Sequence, residues 1–259
     1  VGFYDLSKDK RTALVEKIRA AILSEIKIKN IKASSPLSLT IKYFSDEDTY
    51  IRKAAYLSLG RIYLENDSLR KVIILTLNTF LSEEQAHARQ TVINAAGEIG
   101  KTDFNVIKHF FEIGLFDAHH SVRNAVIGSI KKMAEKNPVP VLKWCEKYLH
   151  HEDKEVRREI CHGIELRGRT HPQDILPLLR ELQHDKTNRV RSTLVHVIGQ
   201  IAYKKGCLET VISDLNSWEN KALTKEAVDE IIDVHYRYRN FSALTQEQAI
   251  AYIDKNYTH

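Results

Sequence analysis

Residues 156–172 read VRREICHGIELRGRTHP. The first half of this stretch follows a rule that the rest of the chain shares, and the second half breaks it. Arg52, Arg89, Arg123, Arg157 and Arg191 stand 37, 34, 34 and 34 residues apart, and a further 34 reaches Lys225. A fixed period of this length marks stacked supersecondary units. Each basic residue opens an amphipathic run. Three positions later come Ala55, Val92, Val126, Ile160, Leu194 and Val228, and seven positions later Leu59, Ala96, Ile130, Ile164, Ile198 and Ile232. One position earlier come Ile51, Ala88, Val122, Val156, Val190 and Thr224. Positions −1, +3 and +7 share one face of an α-helix, so each copy is predicted to bury the same stripe.

A second helix is predicted before each of these, over roughly 36–44, 68–81, 103–116, 138–149, 172–183 and 207–217. Start signals support them: Ser34-Ser35-Pro36, Asp103, Asn137-Pro138, and Thr170 near Pro172. No segment carries a strand period. The expectation is an all-α fold, an α-solenoid of about six helical hairpins spanning 34–240, with one continuous elongated core. A basic amphipathic helical segment, 1–33, precedes the array, with Ser7 as its helix cap. A capping helix within 241–259 closes it, opened by the box Thr245–Gln248.

Composition bounds the class. The chain has 259 residues, 43% hydrophobic and 28% charged, with five prolines and ten glycines, which excludes disordered and fibrous classes. No apolar run suffices to cross a bilayer, and no leader pattern is present, so a soluble cytoplasmic protein is expected. Cys145, Cys161 and Cys207 are odd in number and lack CxxC spacing, which favours reduced thiols over disulfides or a zinc ribbon. Net charge is +5, and it is uneven. Residues 1–33 carry eight Lys/Arg against four Asp/Glu, whereas 211–259 carry five against eight. Such a gradient steers a polyanion less well than a continuous basic stripe.

The runs DAHHSVRNAVIGSIKKMA and DKTNRVRSTLVHVIGQIA, each an acidic turn followed by Val-Arg and a small-residue-containing apolar helix, resemble HEAT-like repeats. The resemblance covers about 36–240. The tetratricopeptide pattern and the ankyrin Thr-Pro-Leu-His are missing. The resemblance implies that the repeated arginines bond the acidic turn of a neighbouring unit rather than form a phosphate-binding ladder. It also implies that the exposed face of the second helices lines a concave binding surface.

Positions +1, +5 and +8 point away from the buried stripe. At +8 the chain reads Gly60, Gly97, Lys131, Glu165, Gly199 and Asp233, and at +5 Leu57, Asn94, Gly128, His162, His196 and Glu230. This face turns densely ionisable from the fourth unit onward. At +10 the apolar Ile62, Ile99, Met133 and Ile201 give way to Arg167. Arg158, His162, Glu165 and Arg169 are therefore expected along one helix face, with His196 beside His162 and Glu230 and Asp233 following. The alternative is an exposed face with ordinary surface ion pairs. The histidines of turns, His119-His120 and His150-His151, suit solvated loops better than a metal. No metal site, phosphate loop, dinucleotide fingerprint or cofactor motif is expected. Trp144 and Trp218 are expected to be packing anchors, and Cys161 a small core residue.

The stretch from Glu155 to Ala202 is also similar to the C-terminal repeats of the HEAT-like DNA alkylation repair proteins, glycosylases that remove N-methylated purines. The similarity rests on a double-Arg helix, an Arg-containing exit, a Leu-Pro-Leu-Leu helix and a second Val-Arg helix before a Trp, and it covers about 153–220. It implies a catalytic carboxylate on the inner face, for which Glu165 is the candidate, with Arg158, Arg167, Arg169 and the N-terminal lysines holding phosphates. His162 stands where the closest subgroup is expected to carry an acid. Tyr203 is the nearest aromatic for stacking a flipped base. Two functions follow. The first is a binding scaffold whose concave face takes a protein or DNA. The second is a DNA glycosylase.

Overall fold

The structure, a computed structural model, describes residues 2–258. The chain is helical, with no strand among the described residues. It forms two compact units divided between Ser129 and Ile130. The division falls inside the helix His120–Lys136, in the middle of the repeat series.

In the first unit, α1 (Lys8–Ile31) packs on α2 (Ser38–Phe44) and α3 (Thr49–Glu65). Ile18, Ile22 and Ile26, spaced four apart, are its fully buried stripe. Ser7 caps it, accepting a hydrogen bond from the Lys10 amide. The helix α1 is thus built into the core of this unit. The second pair is α4 (Arg70–Leu81) with α5 (Ala86–Gly100), and the third is α6 (Phe104–Gly114) with α7 (His120–Lys136).

α2 starts at Ser38, two residues later than Pro36 suggested. Its first free amides are met from outside: Glu25 of α1 accepts from Leu39 N at 2.9 Å and Thr40 N at 2.8 Å. A carboxylate there satisfies orphan donors and faces the positive end of the helix dipole.

In the second unit, α8 (Pro138–Glu146) is followed by α9 (Lys154–Gly163) and its short continuation α10 (Glu165–Gly168). Then come α11 (Leu176–Arg180) with α12 (Asn188–Ala202), and α13 (Leu208–Leu215) with α14 (Lys221–Arg237). α12 packs on α9 and α14, and α15 (Gln246–Asn256) closes the unit against α13 and α14. The Thr245–Gln248 capping box forms as expected. Six helix pairs therefore answer to the six copies of the repeat.

The predicted stripe is the core. Positions +3 and +7 are buried in every copy but one, Ile232 being half-buried. The repeat arginines are structural. Arg89 donates to both carboxylate oxygens of Asp117, at 2.7 and 3.0 Å, and to the carbonyls of Glu83 and Glu84 in its own turn. Arg157 treats Asp185 and the carbonyls of His151 and Glu152 in the same way. These bidentate forks pin α5, and the second helix that Arg157 opens, each to its own turn and to the next acidic one. Trp144, Trp218 and Cys161 are buried, as expected of packing residues.

Candidate functional site

The +8 position sits differently from its expected place on the open face. It lies in the seam where successive second helices touch. A Cβ on Gly60 would stand 2.7 Å from Glu98 Cβ, and one on Gly97 2.7 Å from Ser129 Cβ. Glycine there permits close helix approach. The physical reason is angular: +8 is on the flank of the helix, turned toward the neighbouring second helix, whereas +1 and +5 are nearer its crest.

Between α7 and α10 this seam carries charge instead of glycine. Glu165 is only 2% exposed. Its Oε2 lies 3.1 Å from Lys131 Nζ and 3.1 Å from His162 Nε2, and its Oε1 accepts from Arg169 at 2.5 Å. Arg169 also donates to Gln200 Oε1 at 2.8 Å. Lys131 Nζ also stands 2.9 Å from His162 Nε2. Burial alone would raise the Glu165 pKa. The His162 hydrogen bond and the charges of Lys131 and Arg169 more than reverse this and hold it at about 2. The helix breaks here: α9 ends at Gly163, and Ile164 adopts φ −86°, ψ −5° before α10 begins at Glu165.

The network continues outward. The rings of His162 and His196 meet edge-on with centroids 6.0 Å apart. His196 Nδ1 is 3.7 Å from Glu230, which also pairs with Arg237 at 2.6 Å, and Arg237 reaches Asp233 at 2.6 Å. Burial lowers the His196 pKa, assisted by His162 and Arg237 and opposed by Glu165 and Glu230. His162, Glu165 and His196 present ligand atoms within 4.8 Å of one another, the spacing of a metal-binding set. The Lys131 ammonium, bonded to two of them, already supplies a cation at that corner.

The sequence candidates thus divide. His162, Glu165, Arg169, His196, Glu230 and Asp233 belong to one connected chain of contacts. Arg158 and Arg167 do not join it. Arg158 donates to Glu155 at 2.9 Å, and Arg167 turns to Asp174 at 2.8 Å. Tyr203 offers no platform for a base. It is 4% exposed, stacked on Tyr238 at 5.3 Å, with the Lys204 ammonium 4.3 Å from its centroid. Glu165 likewise has both oxygens engaged and no open face, contrary to its expected place on a ligand-facing surface. Lys131, Gln200 and Arg237 are members that the residue pattern did not single out. Lys131 carried a signal, because it shares the +8 position with Glu165.

No protein-family model matches the chain, and no curated protein matches it in sequence. Solved structures do match. AlkD2 from Streptococcus mutans superposes with a TM-score of 0.54 at 16% identity, over 80% of this chain and 97% of that one. An archaeal HEAT-like repeats protein from Thermococcus onnurineus NA1 gives 0.39 at 13% identity, over 85% and 97%. A designed armadillo repeat protein in complex with the peptide (KR)4 gives 0.36 at 18% identity, over 77% and 99%. The likeness to AlkD2 is one of fold, and in fold the chain is a HEAT-like helical repeat protein.

Proposed function

We propose that this protein is a HEAT-like binding scaffold whose second-helix faces hold a protein partner, and that it performs no chemistry at Glu165. One observation carries this reading. Each arginine that the glycosylase alternative assigns to phosphates is already paired with a carboxylate of its own chain: Arg158 with Glu155, Arg167 with Asp174, Arg169 with Glu165. A DNA backbone would have to displace these carboxylates, and the counterion-release gain of binding would shrink accordingly. The face is a patchwork, since exposed Arg189 and Arg237 alternate with Glu155, Glu230 and Asp233. Complementary patches of both signs suit protein recognition and fix its register.

The carboxylate chemistry points the same way. A glycosylase carboxylate stabilises oxocarbenium-like charge by facing it. Glu165 instead faces two cations and a histidine. No helix among the described residues is long and apolar enough to cross a membrane. The three cysteines are free and buried. Unpaired thiols suit a reducing compartment, so we place the protein in the cytoplasm.

Duplex DNA binding across a salt series tests this. Neutralising Z phosphates gives a slope of about −0.9Z in log K against log salt. Weak binding with a slope shallower than about −2 is expected. Tight binding with a slope near −6 or steeper overturns the protein-partner reading in favour of DNA.

A further inference from the structure

The first unit holds a groove between α1 and α3, enclosing about 250 Å³. Lys53, Leu57 and Arg61 rise along its α3 side, and Val15 and Arg19 of α1 line it opposite. One end is closed by Phe3, Tyr4 and Tyr50, with Tyr4 edge-on to Tyr50 at 4.4 Å. Much of this apolar surface is uncovered: Tyr4 is 60%, Tyr50 39% and Leu57 40% exposed. The cations differ from those of the second unit. Arg19 is held by Glu65 at 2.6 Å, but the side chains of Lys53 and Arg61 make no hydrogen bond or ion pair among the described residues. Glu16 is the one carboxylate on the lining.

Register links these groups to an occupant. Lys53, Leu57 and Arg61 are four residues apart. At 1.5 Å of rise per residue they stand about 6 Å apart along α3, cation–apolar–cation. In an extended chain, side chains on one face recur about every 6.7 Å. We propose that this groove binds an extended peptide of the pattern acidic–x–aromatic–x–acidic. Its two carboxylates meet Lys53 and Arg61, and its ring covers Leu57 toward the Tyr4–Tyr50 end. The cavity is large enough for one aromatic ring, which fits a single aromatic anchor of a peptide. The inference deepens the scaffold reading by naming its partner's chemistry, and it rests on that reading.

The test is calorimetric titration of the full chain, at low salt, with the unlabelled peptide acetyl-Glu-Ser-Tyr-Ser-Glu-amide. Saturable one-site binding is expected. Replacing the tyrosine by alanine, or both glutamates by lysine, weakens it at least tenfold. The double variant Lys53→Glu, Arg61→Glu weakens it at least tenfold, whereas Lys225→Glu in the second unit leaves it unchanged. All three positions are exposed, so the fold survives substitution. Absence of saturation, equal affinity for the lysine peptide, or full affinity in the double variant overturns the proposal. Displacement of the peptide by an equimolar short duplex also overturns it, in favour of a nucleic-acid groove. The two readings fail separately. Loss of peptide binding with weak DNA binding removes only this groove, and steep salt-dependent DNA binding removes the protein-scaffold reading.

Discussion

Lys131 and Glu165 occupy the same repeat position on successive second helices, eight residues after Arg123 and Arg157, and their side chains meet at 3.1 Å. Elsewhere this position is glycine at Gly60, Gly97 and Gly199. Two facing charges in one seam keep the helices together where close backbone contact does so in other repeats. Neither charge tolerates burial alone, and Arg169 and His162 complete the pairing.

Removing Lys131 leaves Glu165 with Arg169 and His162 only. Lys131→Met is expected to destabilise the fold by about 1–3 kcal/mol, the usual cost of leaving a buried polar group short of one partner. A double-mutant cycle with Glu165→Gln is expected to show a coupling of about 1–3 kcal/mol. Urea unfolding measures both. Strictly additive costs contradict the pairing.

Acid weakens this network with a defined sign. The folded pKa of Glu165, about 2, lies below its ordinary value of 4.5. Its contribution is therefore full above pH 4.5 and is lost as pH falls toward 2. Between pH 7 and pH 3 the loss amounts to about 2 kcal/mol. The stability gap between wild type and Glu165→Gln is expected to narrow by that amount over this range. Parallel curves contradict it.

The helix seams make a prediction about glycine. At Gly97 an added Cβ meets Ser129 Cβ at 2.7 Å, whereas at Gly128 it meets nothing within 4 Å. Gly97→Ala is expected to cost about 1–3 kcal/mol through overpacking. Gly128→Ala, inside α7, is expected to stabilise by about 0.5–1 kcal/mol, because alanine loses less chain entropy in a helix. Thermal unfolding of the two variants, measured side by side, reads the opposite signs.

The repeat arginines and the buried stripe were legible in the residues because both follow from a period of 34 and a helical face. The seam at +8 was not. Periodicity separates the buried stripe from everything else on the helix, but it cannot divide the remainder into flank and crest without the neighbouring helix. Glu165 therefore looked exposed. Arg167 broke the apolar pattern at +10 but finds Asp174 seven residues on, a local pairing that spacing along a helix does not reveal. The break at Ile164 likewise has no proline to announce it. Tyr203 looked available because the Tyr238 that covers it comes from the turn after α14, 35 residues away.

The proposed scaffold gives Glu165 the role of holding helices together rather than touching a substrate. Release of N-methylated purines from alkylated duplex DNA, by wild type and Glu165→Gln at equal folded concentration, tests this most directly. No release above the uncatalysed rate is predicted for either. Release by the wild type that Glu165→Gln abolishes would contradict it and make this carboxylate catalytic.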